Sequence, residues 1–464
     1  MDWTPRILVI GDVMLDRYIA GLVDRVSPEA PVPVVKVQNE WSTLGGAANV
    51  AANVASLGGS PILIGLIGND VAGEELLSAC KEQGIDANLF RSITPTITKS
   101  RVIAGQQIVR IDREEQHIWT TEQLQSLKDY LASISSDISL VLLSDYAKGT
   151  VSNQVLELLM SWAAENALRV IVDPKRSDWE FYHNPYLITP NLKELQLAAG
   201  CVVANDDNDV VRAARSLYIK GIAQNILITR SSEGMTLIGE GYVFNVPAVA
   251  QEIFDVSGAG DTVLATIGVW LAEGNMLKES VLAANTAAGI AIGKRGTTSV
   301  LRNEVNSSLR LCSAKVINRE DAPQLCETLK GKKVVFTNGC FDVLHKGHRQ
   351  LLQEAKSFGD VLIVGLNSDD SVKRLKGSER PVNSAFTRQN VLASIDAVDF
   401  IIEFKEDTPL ELIRELMPDV LVKGGDYQVN EIVGNELVSE NRIVPLVAGF
   451  ASSLLLGPTN PATT

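Results

Sequence analysis

The sequence predicts an α/β protein with two successive cores, and three observations predict it. Short, near-continuous apolar runs alternate with helix-forming segments, the pattern of parallel sheets covered on both faces. Two strand-to-helix junctions carry Gly-rich or His-bearing turns, one at 255–261 and one at 338–348. Between them, from Gly296 to about Gly331, the sequence turns polar and irregular. A chain of 464 residues has room for two or three domains.

Composition sets the outer bounds. Hydrophobic residues make up 45% and charged ones 21%, enough apolar material for full cores. A net charge of −14 with no Lys/Arg run argues against a nucleic-acid partner and leaves at most a local basic pocket. The five cysteines (Cys80, Cys201, Cys312, Cys326, Cys340) form no Cys-x-x-Cys pair, which points to a reducing compartment and no structural zinc. The N-terminus lacks the basic and apolar regions of a leader peptide. The longest apolar stretches, Ile62–Ile67 and Val444–Leu456, are too short to span a bilayer. A soluble cytoplasmic protein is expected.

The elements follow in order. Arg6–Ile10 reads as a strand that ends in Gly11-Asp12, with Asp16 close behind. Carboxylates at a strand's carboxyl end lie where open α/β sheets bind ligands, although turn chemistry also selects Asp. The prolines of Ser27–Val34 rule out a central strand, so an edge excursion is expected: a small sheet that covers a site or pairs with another subunit. Gly45 and Gly46 open an Ala-rich helix carrying Asn49. They allow either close approach of a sugar, with Asn49 bonded to a hydroxyl, or close helix–sheet packing. The apolar runs Ile62–Leu66, Leu140–Leu143, Val170–Val172, Tyr186–Ile188 and Ile226–Ile228 predict strands. Helices are predicted at Glu74–Glu82, Glu122–Ala132, Asn153–Glu165 and Val210–Ile219.

Three strand ends carry polar clusters: 144–149 with Lys148, 173–175, and 189–194. Asn191 and Glu194 fit two roles at once. They suit a hydrated Mg²⁺ with nucleotide phosphates, and they suit an N-cap with Glu at the third helical position. No Gly-x-x-x-x-Gly-Lys-Ser/Thr occurs, so a P-loop is excluded.

The stretch Asp255-Val256-Ser257-Gly258-Ala259-Gly260-Asp261 joins an apolar run, Tyr242–Val249, to the helical segment Thr262–Leu271. Gly258 and Gly260 let backbone N–H groups approach an anion at a helix start. Asp261 would repel that anion unless it takes a proton from an attacking hydroxyl, which is what phosphoryl transfer to an alcohol requires. The plainer alternative is a Gly-rich turn with Asp as a helix-start residue.

The second half begins with a strand at Lys333–Thr337. It runs into Asn338-Gly339-Cys340-Phe341-Asp342 and then His345-Lys346-Gly347-His348 at a helix start. Two imidazoles flanking a glycine at the positive end of a helix can donate to nucleotide phosphates. A metal site is a weak reading, because only Asp342 stands near as a third ligand. Strands at Val361–Leu366 and Val420–Val422 end in polar clusters. Lys376 follows the first, and the second runs into Lys423-Gly424-Gly425-Asp426-Tyr427.

Residues 1–315 resemble the ribokinase-like sugar kinases, through Gly11-Asp12, the Gly45-Gly46-Ala-Ala-Asn49 helix start, Asn191-x-x-Glu194 and Asp255-x-x-Gly-Ala-Gly-Asp261. The resemblance implies that Asp261 is the catalytic base and that Gly258, Ala259 and Gly260 form the anion hole. It places Asn191, Leu192, Lys193 and Glu194 at ATP and Mg²⁺, and Asp12, Asp16, Gly45, Gly46, Asn49 and Lys148 at the sugar. Residues 332–464 resemble the Rossmann-like nucleotidylyltransferases of the cytidylyltransferase-like group, through His345-x-Gly-His348. Nucleotide-binding positions there are Asn338, Gly339, Phe341, Asp342, Lys376, Lys423, Gly424 and Asp426. Ser452 and Ser453 belong with them, in a closing motif where Ala451-Ser452-Ser453 stands for the family's usual Ser-Thr-Thr or Ser-Thr-Ser. Residues 316–331 are expected to link the domains. Segments 27–34, 144–149 and 423–427 narrow the resemblance to fused enzymes acting on heptose phosphates. That implies ATP as donor in both halves, a homodimer joined through the kinase half, and a separate phosphatase acting between the two steps. A different sugar kinase fused to a cytidylyltransferase, or a non-catalytic sugar-phosphate sensor, are the rival readings.

Overall fold

A computed structural model describes residues 4–249, 255–294, 298–425, 428 and 431–445. Among these, the residues of Met1–Ala198, Gly221–Gln224 and Gln251–Val305 pack into one unit. Those of Ala199–Lys220, Asn225–Ala250 and Asn306–Thr464 pack into a second.

The first unit is built on six parallel strands. Their order is Leu187–Ile188, Val170–Asp173, Leu140–Ser144, Arg6–Gly11, Ser60–Gly68, Asp86–Ser92. Ile7–Ile10, Ile62–Ile64 and Leu140–Leu143 are almost wholly removed from solvent, as continuous apolar runs require when both faces are covered. The strand ends Gly11, Ser144 and Asp173 lie in register, so their following loops emerge side by side. The Pro-rich segment is the bend of a long hairpin between strands Val13–Val26 and Pro33–Gly46. With Ile97–Ala104 and Gln106–Arg113 this hairpin makes the expected small sheet. Pro33 is the first residue of an edge strand, where its missing N–H costs no ladder bond.

Helix Asn153–Glu165 falls where periodicity indicated, while the other three expected helices begin earlier. Val71–Glu82 starts under an Asp70 cap, whose side chain accepts from the Gly73 amide. Thr121–Ile134 starts under a Thr120–Gln123 capping box. Polar cap residues precede the first apolar position, so hydrophobic spacing alone starts late.

The second unit contains an antiparallel ladder of Ile226–Thr229, Met235–Gly239 and Tyr242–Val246. It also contains a six-stranded parallel sheet. The order is Val316–Ile317, Phe400–Phe404, Val361–Asn367, Val334–Gly339, Val420–Gly424, Glu440–Val444. The expected linker is not irregular chain. Arg302–Ser313 is helical, and Val316–Ile317 pairs with Ile401 and Ile402. Ala322–Thr328 is a helix with Pro323 in its first turn, where a missing N–H is harmless. Ala322, Leu325 and Leu329 enter one core with Phe336, Ile363, Ile402 and Leu421. Ala322, Leu325 and Leu329 lie at helical spacing, but the run is too short to show a period. No helix among the described residues is long and apolar enough to cross a membrane.

Because Leu325 is 8% exposed within this core, Leu325→Ala should destabilise the second unit by about 2–5 kcal/mol. Chemical denaturation followed by a probe in that unit measures it. An unchanged midpoint would return residues 316–331 to the status of a linker.

Candidate active sites

In the first unit Asp261 sits in the first turn of helix Ala259–Ala272, directly after Gly258, which caps the helix at φ 79°. Both carboxylate oxygens are held. Asn49 Nδ2 donates to Oδ2 at 2.7 Å, and the Tyr146 hydroxyl donates to Oδ1 at 2.9 Å. Burial pushes the Asp261 pKa up to about 6. The two donors and Lys99 oppose that shift, and Asp16 adds to it. A Cβ added at Gly260 would meet no protein atom within 4 Å. The backbone beside the carboxylate is therefore approachable, and a base of this acidity is largely ionised at neutral pH.

Asn49 projects from helix Ala47–Ser56, which Gly46 caps at φ 57°. A Cβ on Gly45 would lie 2.7 Å from Oδ2 of Asp16, and one on Gly46 would lie 2.3 Å from the Asp12 carbonyl. The two glycines are therefore needed to bring the helix start against the Asp-bearing strand. Asn53 donates to both the carbonyl and Oδ1 of Asn49, which fixes the amide's orientation. Asp16 is buried and paired with Arg101 at 2.6 Å.

Two sugar-site expectations change. Asp12 is fully buried, and its carboxylate accepts from the backbone N–H groups of Tyr146, Lys148 and Thr150 at 2.8, 3.0 and 3.0 Å. A carboxylate so occupied organises the loop 146–150. The Lys148 ammonium is paired with Glu114 at 2.8 Å, so its backbone, not its charge, joins the loop around Tyr146.

Asn191 and Glu194 form a reciprocal capping box at the start of helix Leu192–Ala199, which also carries Leu192 and Lys193. The outer oxygen of Glu194 remains paired with Lys175 at 2.9 Å. Burial, with Glu194 and Asp261 beside it, pushes Asp173 well above the ordinary carboxylate range. Carboxylates compressed this way suit a hydrated divalent cation accompanying a nucleotide. Among the described residues no three His, Cys, Asp or Glu side chains form a metal cage by themselves. Tyr146, Asp173 and Lys175 stand in strand-end clusters visible in the sequence. Their convergence on Asp261 and Glu194 is set by strand register, which the sequence does not display.

In the second unit His345 is the N-cap of helix Lys346–Ser357. The rings of His345 and His348 stack with centroids 3.7 Å apart, and Phe341 packs edge-on against His348 at 5.2 Å. Burial lowers the His345 pKa to about 4. Arg349 and Lys376 reinforce that shift, and Asp207 opposes it. Burial, His345 and Lys376 hold His348 well below the usual imidazole range. Both rings are therefore neutral donors near pH 7, and any positive field comes from Lys376 and the helix. Lys423 donates to Asn338 Oδ1 at 3.0 Å, across the ends of strands Val334–Gly339 and Val420–Gly424. Burial lowers its pKa. Gly339 and Gly424 close these two strand ends.

Asp342 is another carboxylate already committed. It pairs with Arg380 at 2.7 Å and accepts from the amides of Val382 and Asn383. It ties the loop at 380–383 to the strand end that carries Phe341. Asp426, Ser452 and Ser453 lie outside the described residues. Arg388 carried no sequence signal, being one cation in the short helix Ala385–Ala393. It is 1% exposed and donates to the carbonyls of Cys340, Asn367 and Asn383 and to Asp369. One guanidinium thus ties two strand ends to the loop that Asp342 holds.

Comparison with known proteins agrees with this division of chemistry. Residues 4–304 match the pfkB family of carbohydrate kinases, and residues 336–454 match the cytidylyltransferase-like family. The bifunctional protein HldE of Nitratiruptor is 43% identical over 460 residues, covering 97% of this chain and 98% of that one. HldE of Trichlorobacter lovleyi is 44% identical over 98% of this chain and 95% of its own. HldE of Azorhizobium caulinodans is 45% identical over 97% of both. Escherichia coli phosphofructokinase-2 in complex with potassium superposes with a TM-score of 0.57 at 21% identity, over 66% of this chain and 97% of its own. Arabidopsis ribokinase complexed with ribose and ATP superposes at 0.52 and 19%, over 66% and 98%. These two likenesses show the fold.

Any reaction that uses the free Asp261 carboxylate as base should gain rate as pH rises through about 6. Tyr146 stabilises the charged form, so Tyr146→Phe should raise the Asp261 pKa and move the acid limb to higher pH. A pH–rate profile with an unmoved limb would remove Tyr146 from the base's environment.

Proposed function

This chain belongs to the family of the bifunctional HldE proteins and is a bifunctional transferase, a sugar kinase joined to a nucleotidyltransferase; from that premise we propose the reactions and the residues that perform them. The kinase half phosphorylates D-glycero-β-D-manno-heptose 7-phosphate at C1 to the 1,7-bisphosphate. The transferase half moves AMP from ATP to D-glycero-β-D-manno-heptose 1-phosphate, giving ADP-heptose for the lipopolysaccharide core. The observation that carries the reading is the doubly held Asp261, its pKa raised by burial, at an open helix start.

Asp261 takes the proton of the C1 hydroxyl as that oxygen attacks. Asn49 and Tyr146 keep the carboxylate in one orientation, so little reorganisation is needed at the moment of transfer. The backbone N–H groups from Gly258 to Gly260, at the positive end of the helix, face the developing charge on the transferred phosphoryl group. Asp16, Asn49 and the Gly45-Gly46 turn line the sugar side, and Asp12 shapes it through the 146–150 loop. ATP supplies the phosphoryl group. Glu194 and Asp173 hold its Mg²⁺ through water, with Lys175 balancing their charge.

In the transferase half His345 and His348 donate to the α-phosphate oxygens as charge builds, with Lys376 beside them and Lys423 at the neighbouring strand ends. The chain works in the cytoplasm as a homodimer joined through the kinase half. Supporting the dimer, the small sheet leaves Leu22, Val23, Val26, Ile108, Val109 and Ile111 exposed, an apolar surface of the kind that marks an interaction site. The kinase domain ends near residue 315, and the transferase core begins with the strand at Val316.

Asp261→Asn keeps the shape and removes the base, so kinase turnover should fall by about 10²–10⁴ while adenylyl transfer is retained. His348→Ala should do the reverse, with a loss of roughly 10²–10³ in adenylyl transfer. Coupled assays on one preparation measure both. If His348→Ala weakens both activities equally, the assignment of two separate sites fails.

The kinase product carries two phosphates and the transferase substrate one. Burying an extra phosphate dianion without a matched cation is costly, so the bisphosphate should be refused by the second site. With heptose 7-phosphate, ATP and Mg²⁺ the reaction should stop at the 1,7-bisphosphate, and ADP-heptose should follow only when a C7 phosphatase is added. Mass spectrometry distinguishes these products, and ADP-heptose formed efficiently by the protein alone would overturn the scheme.

A further inference from the structure

The backbone on either side of His345 is held by buried side chains from a distant part of the sequence. Before His345, the carbonyl of Leu344 accepts from Asn245 Nδ2 at 2.9 Å. After it, the N–H of Lys346 donates to Asp207 Oδ2 at 2.8 Å. The two holding side chains are joined to each other. Arg230 Nη1 donates to Asp207 Oδ1 at 2.6 Å and to Thr236 Oγ1 at 2.9 Å, and the Thr236 hydroxyl donates to Asn245 Oδ1 at 2.8 Å. Asn205 accepts from Arg230 Nε at 3.1 Å. One turn further along the helix, Arg349 pairs with the Glu233 carboxylate and donates to the Glu233 carbonyl at 3.1 Å. Asp207, Arg230, Thr236 and Asn245 are all buried, at 2%, 2%, 0% and 7% exposure.

All these holding residues fall in the stretch that matches the carbohydrate kinases, 4–304, while the segment they hold falls in the stretch 336–454. They pack together within the second unit. An ion pair buried this deeply is weak evidence for stability, since apolar side chains of similar size serve as well or better. What a connected, fully bonded polar network adds is direction. It admits one placement of the two peptide groups it grips. Here those peptide groups bracket the residue whose ring stacks on His348 at 3.7 Å.

We propose that Asp207, Thr236 and Asn245, anchored on Arg230, are positioning residues for adenylyl transfer: kinase-family residues that set the backbone on both sides of His345. None of them touches the reacting atoms. They act through the His345 main chain, so the transferase half depends on residues 205–245 for the geometry of its own motif. The inference rests on the reading of His345 and His348 as phosphate donors in that reaction.

The test uses the full chain, with adenylyl transfer to heptose 1-phosphate and phosphorylation of heptose 7-phosphate measured on the same preparations. Amide hydrogen exchange over residues 344–349 is measured alongside. Asn245→Ala removes one grip and leaves the Arg230–Asp207 pair intact. It should lower the kcat of adenylyl transfer by on the order of 10–10²-fold, the scale of a displacement near 1 Å. The KM for ATP and the kinase turnover should be unchanged, and exchange across 344–349 should accelerate. Asp207→Ala should behave the same way. Asp207→Asn keeps one acceptor oxygen where the carboxylate offers two, for Arg230 and for the Lys346 N–H, so it should recover only part of the lost turnover. If Asp207→Ala does not fold, seen as loss of kinase turnover as well, the Asn245→Ala result decides. Wild-type adenylyl transfer and unchanged exchange in Asn245→Ala overturn the proposal, as does an equal fall in both activities. Absence of adenylyl transfer in the wild-type chain instead overturns the functional reading, and the exchange rates then decide the positioning role alone.

Discussion

One buried carboxylate organises the loop beside the first site. Asp12 lies at the end of the central strand and accepts three backbone N–H bonds from the loop 146–150. Burial raises its pKa, and the three donors oppose that shift. A charge removed from water needs such partners, since bare burial costs several kcal/mol. The loop it holds would otherwise have no reason to fold back, with Ala147 at φ 57° and Gly149 at φ 107°. Asp145 then fixes the same turn from its other side, through Arg176 and the Tyr182 hydroxyl. The outcome is a Tyr146 hydroxyl delivered to Asp261 at 2.9 Å. Removing Asp12 would loosen the base at second hand.

The two sites solve opposite electrostatic problems. In the first unit, acidic groups are compressed. Burial, with Glu194 and Asp261 close by, raises the proton affinity of Asp173, and Lys175 is the local relief. Such a site favours a cation and a proton-accepting role together. In the second unit, burial disfavours the charged forms of the nitrogen donors. His345, His348 and Lys423 all have lowered pKa values, and desolvation is the first cause in each. A neutral imidazole donates one hydrogen bond and cannot release its proton readily, so it suits stabilisation of charge more than transfer of protons.

Continuous apolar runs made the parallel strands legible, because burial on both faces leaves no polar position to interrupt them. The glycine-bearing turns were legible too, since Gly258 at φ 79° and Gly46 at φ 57° occupy conformations that other residues adopt poorly. The helix Ala322–Thr328 is not legible in the sequence, because it is too short to show a period. Side-chain commitments were the least legible of all. Asp12 and Asp342 look like ligand carboxylates in sequence, yet both are saturated by backbone amides far along the chain. Tyr146 meets Asp261 across 115 positions and Asn245 meets Leu344 across 99. No local pattern encodes pairings at that separation.

The grip on His345 is also unequal in what it asks of the two partners. On the gripping side it needs particular side chains, an amide donor at Asn245 and a carboxylate at Asp207. On the gripped side it uses only a carbonyl and an N–H, which any residue at 344 and any but proline at 346 would supply. Other substitutions at Leu344 or Lys346 leave the bonds in place, whereas truncation at Asn245 or Asp207 breaks them. Mutational tolerance is therefore lopsided: part of the transferase's sequence constraint is stored in the other enzyme, where a comparison of isolated transferases would never find it.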